Sequence, residues 1–98
     1  MTAMPPAAEK LVADLQAAAG AASQLEDGEP DADRASLLLG IRDVAACAAR
    51  VVMAHYVADR RHVVQQAHLL RAAAGGVLND AEVLDARTEG PTSRRAAP

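Results

Sequence analysis

The sequence predicts an all-α protein: a helical bundle with a first helix, a long central helix and a short C-terminal helix, completed by dimerisation. Three observations carry this. Hydrophobic residues make up 51% of the 98 residues, yet there is no Phe, no Trp and one Tyr. Much of the apolar content is alanine, the strongest helix former. Its large aliphatic residues recur at spacings of three and four, which line one face of a helix. The third observation concerns volume. A fully buried large aliphatic side chain stabilises by roughly 1.5–3 kcal/mol and an alanine by much less. A monomer built this way has a thin core, so sharing large residues between copies is the expected remedy, and the expected state is a homodimer.

The length supports a single domain. Residues 1–6 read as a flexible lead, 7–87 as the helical domain and 88–98 as a flexible tail. Pro5 and Pro6 suit a helix start, where the first turn needs no amide donor. Residues 7–25 form the first helix, with Leu11, Leu15, Ala18, Ala22 and Leu25 as its apolar stripe. Asp27-Gly28 and Pro30 break it. The acidic run Glu29, Asp31 and Asp33 sits where the second helix begins, where carboxylates cap free amides and meet the positive end of the helix dipole.

Residues 32–74 contain no proline and one glycine, Gly40. The first half carries a broad apolar face: Leu37, Leu38, Ile41, Val44, Ala45, Ala48, Val51, Val52 and Tyr56. The second half alternates spacings of four and three through Val63, Ala67, Leu70, Ala74, Val77, Ala81 and Leu84, the coiled-coil pattern. The polar run Asp59-Arg60-Arg61-His62 joins the halves, either straight or as a kink. With no Gly or Pro at the joint, the expectation is one continuous helix of about 43 residues, roughly 65 Å long. Gly75-Gly76 is its expected stop, and Asn79 with Glu82 the start of a short last helix.

Charge and composition exclude several functions. A net charge of −3 and a single aromatic residue disfavour nucleic acid as the main partner. A dimeric DNA-binding regulator using Arg60 and Arg61, with His62, Gln65, Gln66 and His68 beside them, remains a further alternative. The N-terminus has no basic segment followed by an apolar run, so no signal peptide is expected. Residues 37–54 are interrupted by Arg42, Asp43 and Arg50, and a central charge costs about 2.5–3.5 kcal/mol in a bilayer. No membrane association is therefore expected, and the expected location is the cytoplasm. Cys47 reads as a small apolar-face residue. It stands too far from His55 along one helix for nucleophilic catalysis, and no phosphate-binding glycine loop is present. The chain is read as non-enzymatic.

One cluster points to metal chemistry. His55, Asp59 and His62, at spacings of four and three, would share one face of a continuous helix. Two imidazoles and a carboxylate form a ligand set for zinc or a similar divalent ion. A metal- or small-ligand-binding bundle is thus the alternative function. The main expectation is a small helical protein that self-associates and binds another protein, as an adaptor, regulator or assembly factor. Its expected interface is Leu37, Leu38, Ile41, Val44, Val51, Val52, Val63, Leu70 and Val77.

Overall fold

The computed structural model of the chain describes residues 4–96, with side chains as far as Arg87. The fold is all-α, with three helices: α1 (Pro6–Asp27), α2 (Ala32–Val57) and α3 (Arg60–Ala96). Helix α1 starts as its prolines dictate. Pro5 is extended, Pro6 takes the first helical position, and the Pro5 carbonyl accepts the N–H groups of Ala8 and Glu9 at 3.0 Å. At the start of α2, Asp31 is the N-cap. Its Oδ1 accepts the amides of Asp33 (2.9 Å) and Arg34 (3.2 Å), the role expected of the acidic run.

The expected continuous helix is broken. Helix α2 ends at Val57, and the chain reverses over Ala58 and Asp59. Ala58 is extended, and the Asp59 Oδ1 accepts the His62 amide at 2.9 Å, capping α3. Asp is among the best N-cap residues, and an extended residue followed by an N-cap needs neither Gly nor Pro. Turn chemistry was therefore present, in a form that a search for Gly and Pro misses. The last helix is also not short. Gly75 and Gly76 lie inside α3, which runs on to Ala96. With no Cβ-sized obstruction near either glycine, they cost helix stability of about 1 kcal/mol each, too little to stop a helix anchored on both sides.

Helix α2 is the middle of a three-helix layer. It packs against α1 along one side and α3 along the other, and among the described residues α1 and α3 do not pack on each other. Successive helices are antiparallel. Contacts along α2 and α3 fix this direction: Gly40 lies against Val77, and the Ser36 hydroxyl donates to Asp80 at 3.0 Å. At the far end Arg87 clamps the start of α2, donating to Asp31 at 2.7 and 2.9 Å and to Asp33 at 2.7 Å. Gly40 is the close approach: a Cβ there would sit 3.0 Å from Val77 Cγ2. The principal extents, 62 × 27 × 19 Å, describe a long, flat body.

The helical seams are offset from the expected stripes. On α1 the side chains turned toward α2 are Ala8, Val12, Leu15, Ala19, Ala22 and Glu26, while Leu11, Ala18 and Leu25 are exposed. On α3 the half-buried row is Val63, Gln66, Leu70, Ala73, Val77, Asp80 and Leu84, whereas Ala67, Ala74 and Ala81 face out. Both rows have the three-and-four spacing, and each shares members with the stripe that was expected. An alanine-rich pattern does not separate two such rows one residue apart, because either is apolar.

The core is thin. Its buried members are Ala8, Val12, Ala22, Ala45, Cys47, Ala49 and Ala54, and no large side chain among the described residues is fully buried. Cys47 is a free, buried thiol.

Candidate functional site: two unlike faces of one helical layer

A helix packed on two sides keeps two flanks open. At about 100° per residue, α2 turns Ala45, Ala49, Leu38 and Tyr56 toward α1, and Gly40, Cys47 and Ala54 toward α3. One remaining flank holds Arg42, Asp43, Ala46 and Arg50. The other holds Leu37, Ile41, Val44, Ala48, Val51 and Val52.

The first flank floors an open groove of about 610 Å³. Ala19, Gly20 and Ser23 of α1 form one wall, and Leu69 and Ala73 of α3 the other. Its floor is charged: Arg42 donates to Asp43 at 2.9 and 3.2 Å. A cleft of about 180 Å³ lies on the same face, lined in part by Arg50, Met53, His62 and Gln66. The Gln66 Oε1 there has no hydrogen-bond partner among the described residues.

The groove also orients the flanking helices. Since Gly20 and Ser23 of α1 and Leu69 of α3 point to the polar face, the side chains half a turn away point to the other. Those are Leu11, Ala18 and Leu25 on α1, and Ala67, Ala74 and Leu78 on α3. The second face is therefore apolar across all three helices. Exposure agrees: Leu11 is 47% exposed, Leu25 63%, Ile41 41% and Leu78 62%.

The expected interface residues divide on this geometry. Leu37, Ile41, Val44, Val51 and Val52 lie on the open apolar flank. Leu38 turns to α1, and Leu70 and Val77 pack toward α2, so these three serve the chain's own seams. Val63 sits at the border, in a cleft with His55 and Arg60. Sequence reasoning missed Leu11, Leu25 and Leu78 as flank residues. Their signal was spacing: Leu11, Ala18 and Leu25 repeat every seven residues, one row away from the packed seam.

The metal reading loses its geometric premise. The turn at Ala58 and Asp59 puts His55 on the apolar face beside Arg60 and Val63, and His62 on the polar face beside Arg50 and Gln66. His55 packs its ring edge-on to Tyr56, centroids 4.7 Å apart, and Asp59 is the cap of α3. Among the described residues no group of three His, Cys, Asp or Glu side chains is placed to hold a metal ion. The pair α2 and α3, which would carry a helix-turn-helix, is an antiparallel hairpin. The DNA-binding motif instead crosses its two helices at about 90–120°.

Electrostatics concentrate at the α2 start. The Arg87 guanidinium, then the Arg34 amide, hold the Asp31 carboxyl well below the usual carboxylate range, and the same bonds raise Arg87. On α1, Asp14 bonds Lys10 at 2.8 Å and raises its pKa. No helix among the described residues is long and apolar enough to cross a membrane.

Comparison with protein-family models, with curated proteins and with solved structures finds no match.

Proposed function

We propose that the chain is a non-enzymatic interaction protein that self-associates through its apolar face and offers its grooved, charged face to another protein. Accessible area carries the reading. The chain exposes 6881 Å², whereas a compact monomer of 10.1 kDa exposes about 5,300 Å². The excess of roughly 1,600 Å² is twice the ~800 Å² that each partner buries in a standard interface. Part of it belongs to the end of α3, which projects past α2 beyond Arg87. The rest is the face of Leu11, Leu25, Ile41 and Leu78. Charge is depleted at the centre of that face and present at its rim, the distribution of a protein–protein interface.

Light scattering at low micromolar concentration tests the self-association. The expected mass is twice 10.1 kDa; a monomer across the concentration range overturns the reading. Immobilised dimer, with Arg42→Glu and Arg50→Glu as the control surface, then tests whether the opposite face holds a partner protein.

A further inference from the structure

We infer that the self-association is a parallel, face-to-face two-fold dimer, in which α1 of one copy lies over α3 of the other and Asp14 meets the second copy's Arg71. The inference rests on the self-association proposed above and specifies its register.

Two copies sharing one face are related by a two-fold axis lying between the layers. If the axis runs along the helices, α2 stacks on its counterpart in parallel, α1 covers α3 of the other copy, and each residue meets residues at its own height. If the axis runs across the helices, α2 is antiparallel to its counterpart, α1 covers α1, and heights are mirrored about the middle of the face.

Heights follow from the helical rise. Gly40 lies against Val77, so in the antiparallel pair Arg71 is level with Ala46. Stepping back from Asp27 along α1 and forward from Ala32 along α2 by equal rises brings Asp14 to the same height, near Ala45 and Ala46. Asp14 and Arg71 also occupy matching places on the outer rims of the apolar face, one on α1 and one on α3. With the axis along the helices, each Asp14 faces an Arg71, twice per dimer by symmetry. With the axis across them at mid-face, Asp14 faces Asp14 and Arg71 faces Arg71. Like charges at an interface cost several kcal/mol, so the parallel arrangement is favoured. Both groups are available for the contact. Asp14 uses only Oδ2 in its bond to Lys10, and Arg71 makes no ion pair among the described residues.

Side-chain size agrees with the charges. At equal heights Leu11 meets Ala67 of the other copy, Leu25 meets Ala81, and Leu78 meets Ala21. Each large side chain of one helix thus finds a small one on the other, the interdigitation that close helix packing requires. This also accounts for the exposed alanine row of α3, which the chain's own seam does not use.

Cysteine cross-linking reads the register directly. In a Cys47→Ser background, Leu37→Cys, Ala48→Cys and His55→Cys are made singly and oxidised mildly in the dimer range of concentration. All three positions lie along the centre of the α2 flank. The parallel dimer predicts a disulfide-linked dimer from each. Cross-linking of Ala48→Cys alone indicates the antiparallel register and overturns the inference while leaving self-association intact. Cross-linking of none, with the dimer mass retained, assigns another face and overturns it as well. A monomer by light scattering instead overturns the underlying reading. Charge exchange gives an independent arm: Asp14→Arg and Arg71→Asp each weaken the dimer about tenfold, and the double exchange restores it to within about threefold. Without that rescue the pairing is wrong.

Discussion

Helix α2 is asymmetric about its own axis: the flank holding Arg42, Asp43 and Arg50 is charged and grooved, and the flank holding Leu37, Ile41, Val44, Ala48, Val51 and Val52 is apolar and open. Both sit between the same two helices, so neither burial nor backbone distinguishes them. The difference is side-chain chemistry, and it teaches where the chain's missing core lies. The seams inside the layer use alanine and close approach, with Gly40 against Val77 as the tightest point. The larger aliphatics, which carry most of the hydrophobic free energy, are spent on the flank that the monomer leaves uncovered.

The largest expected effect comes from making the flanks alike. Ile41→Glu with Leu78→Glu places two carboxylates on the apolar face at positions already exposed in the chain, so helix content by circular dichroism should persist. Burying unpaired charge in an interface is strongly unfavourable, and the dimer dissociation constant should rise a hundredfold or more by sedimentation. Arg42→Glu with Arg50→Glu changes as many charges on the opposite flank and should leave the dimer mass unchanged. If the arginine variant dissociates and the apolar-face variant does not, the two flanks have been assigned the wrong way round.

A smaller effect tests the turn that sorts side chains between the faces. Asp59→Ala removes the cap of α3 and should cost about 1 kcal/mol, read as a lowered denaturation midpoint with unchanged slope. If Asp59 were instead a ligand in a polar cluster with His55 and His62, the variant would lose a divalent-ion response that wild type shows. The geometry predicts equal, negligible responses in both.

Much of this architecture was legible in the residues. The prolines at 5 and 6 and the break at Asp27-Gly28 bound α1 to within two residues, because backbone chemistry is local. The acidic start of α2 was legible for the same reason: Asp31 caps within its own turn. The reversal at Ala58 and Asp59 was hidden by the assumption that a turn needs Gly or Pro. Helix α3 crosses Gly75-Gly76 because packing of Leu70, Val77 and Leu84 along α2 outweighs a modest local cost. The seams were misplaced by one residue because alanine makes neighbouring rows equally apolar. Which of two apolar rows is buried depends on the other helices, and Leu11 or Leu78 carries no local mark of that choice. Arg87 lies more than fifty residues from Asp31 in sequence, and nothing near either residue announces the pairing.

That clamp supplies the subtlest test, because it keeps the end of α3 aligned with α2 and so keeps both flanks level. The Asp31 carboxyl is depressed by the Arg87 guanidinium and by the amides it caps. A depressed carboxylate contributes stability that is fully present above its unfolded value of about 3.9 and is lost as pH falls through the lower folded value. Wild type should therefore exceed Arg87→Gln in melting temperature at pH 7, by an amount that salt reduces, since the pair is partly exposed. Below about pH 4 the two melting curves should converge. A difference that stays constant down to pH 2, or grows in acid, would mean that Arg87 acts through packing rather than charge. Cross-linking of Leu37→Cys, nearest the clamp, would then be unaffected by the Arg87 change, whereas a working clamp predicts that it falls while cross-linking of His55→Cys, at the other end, does not.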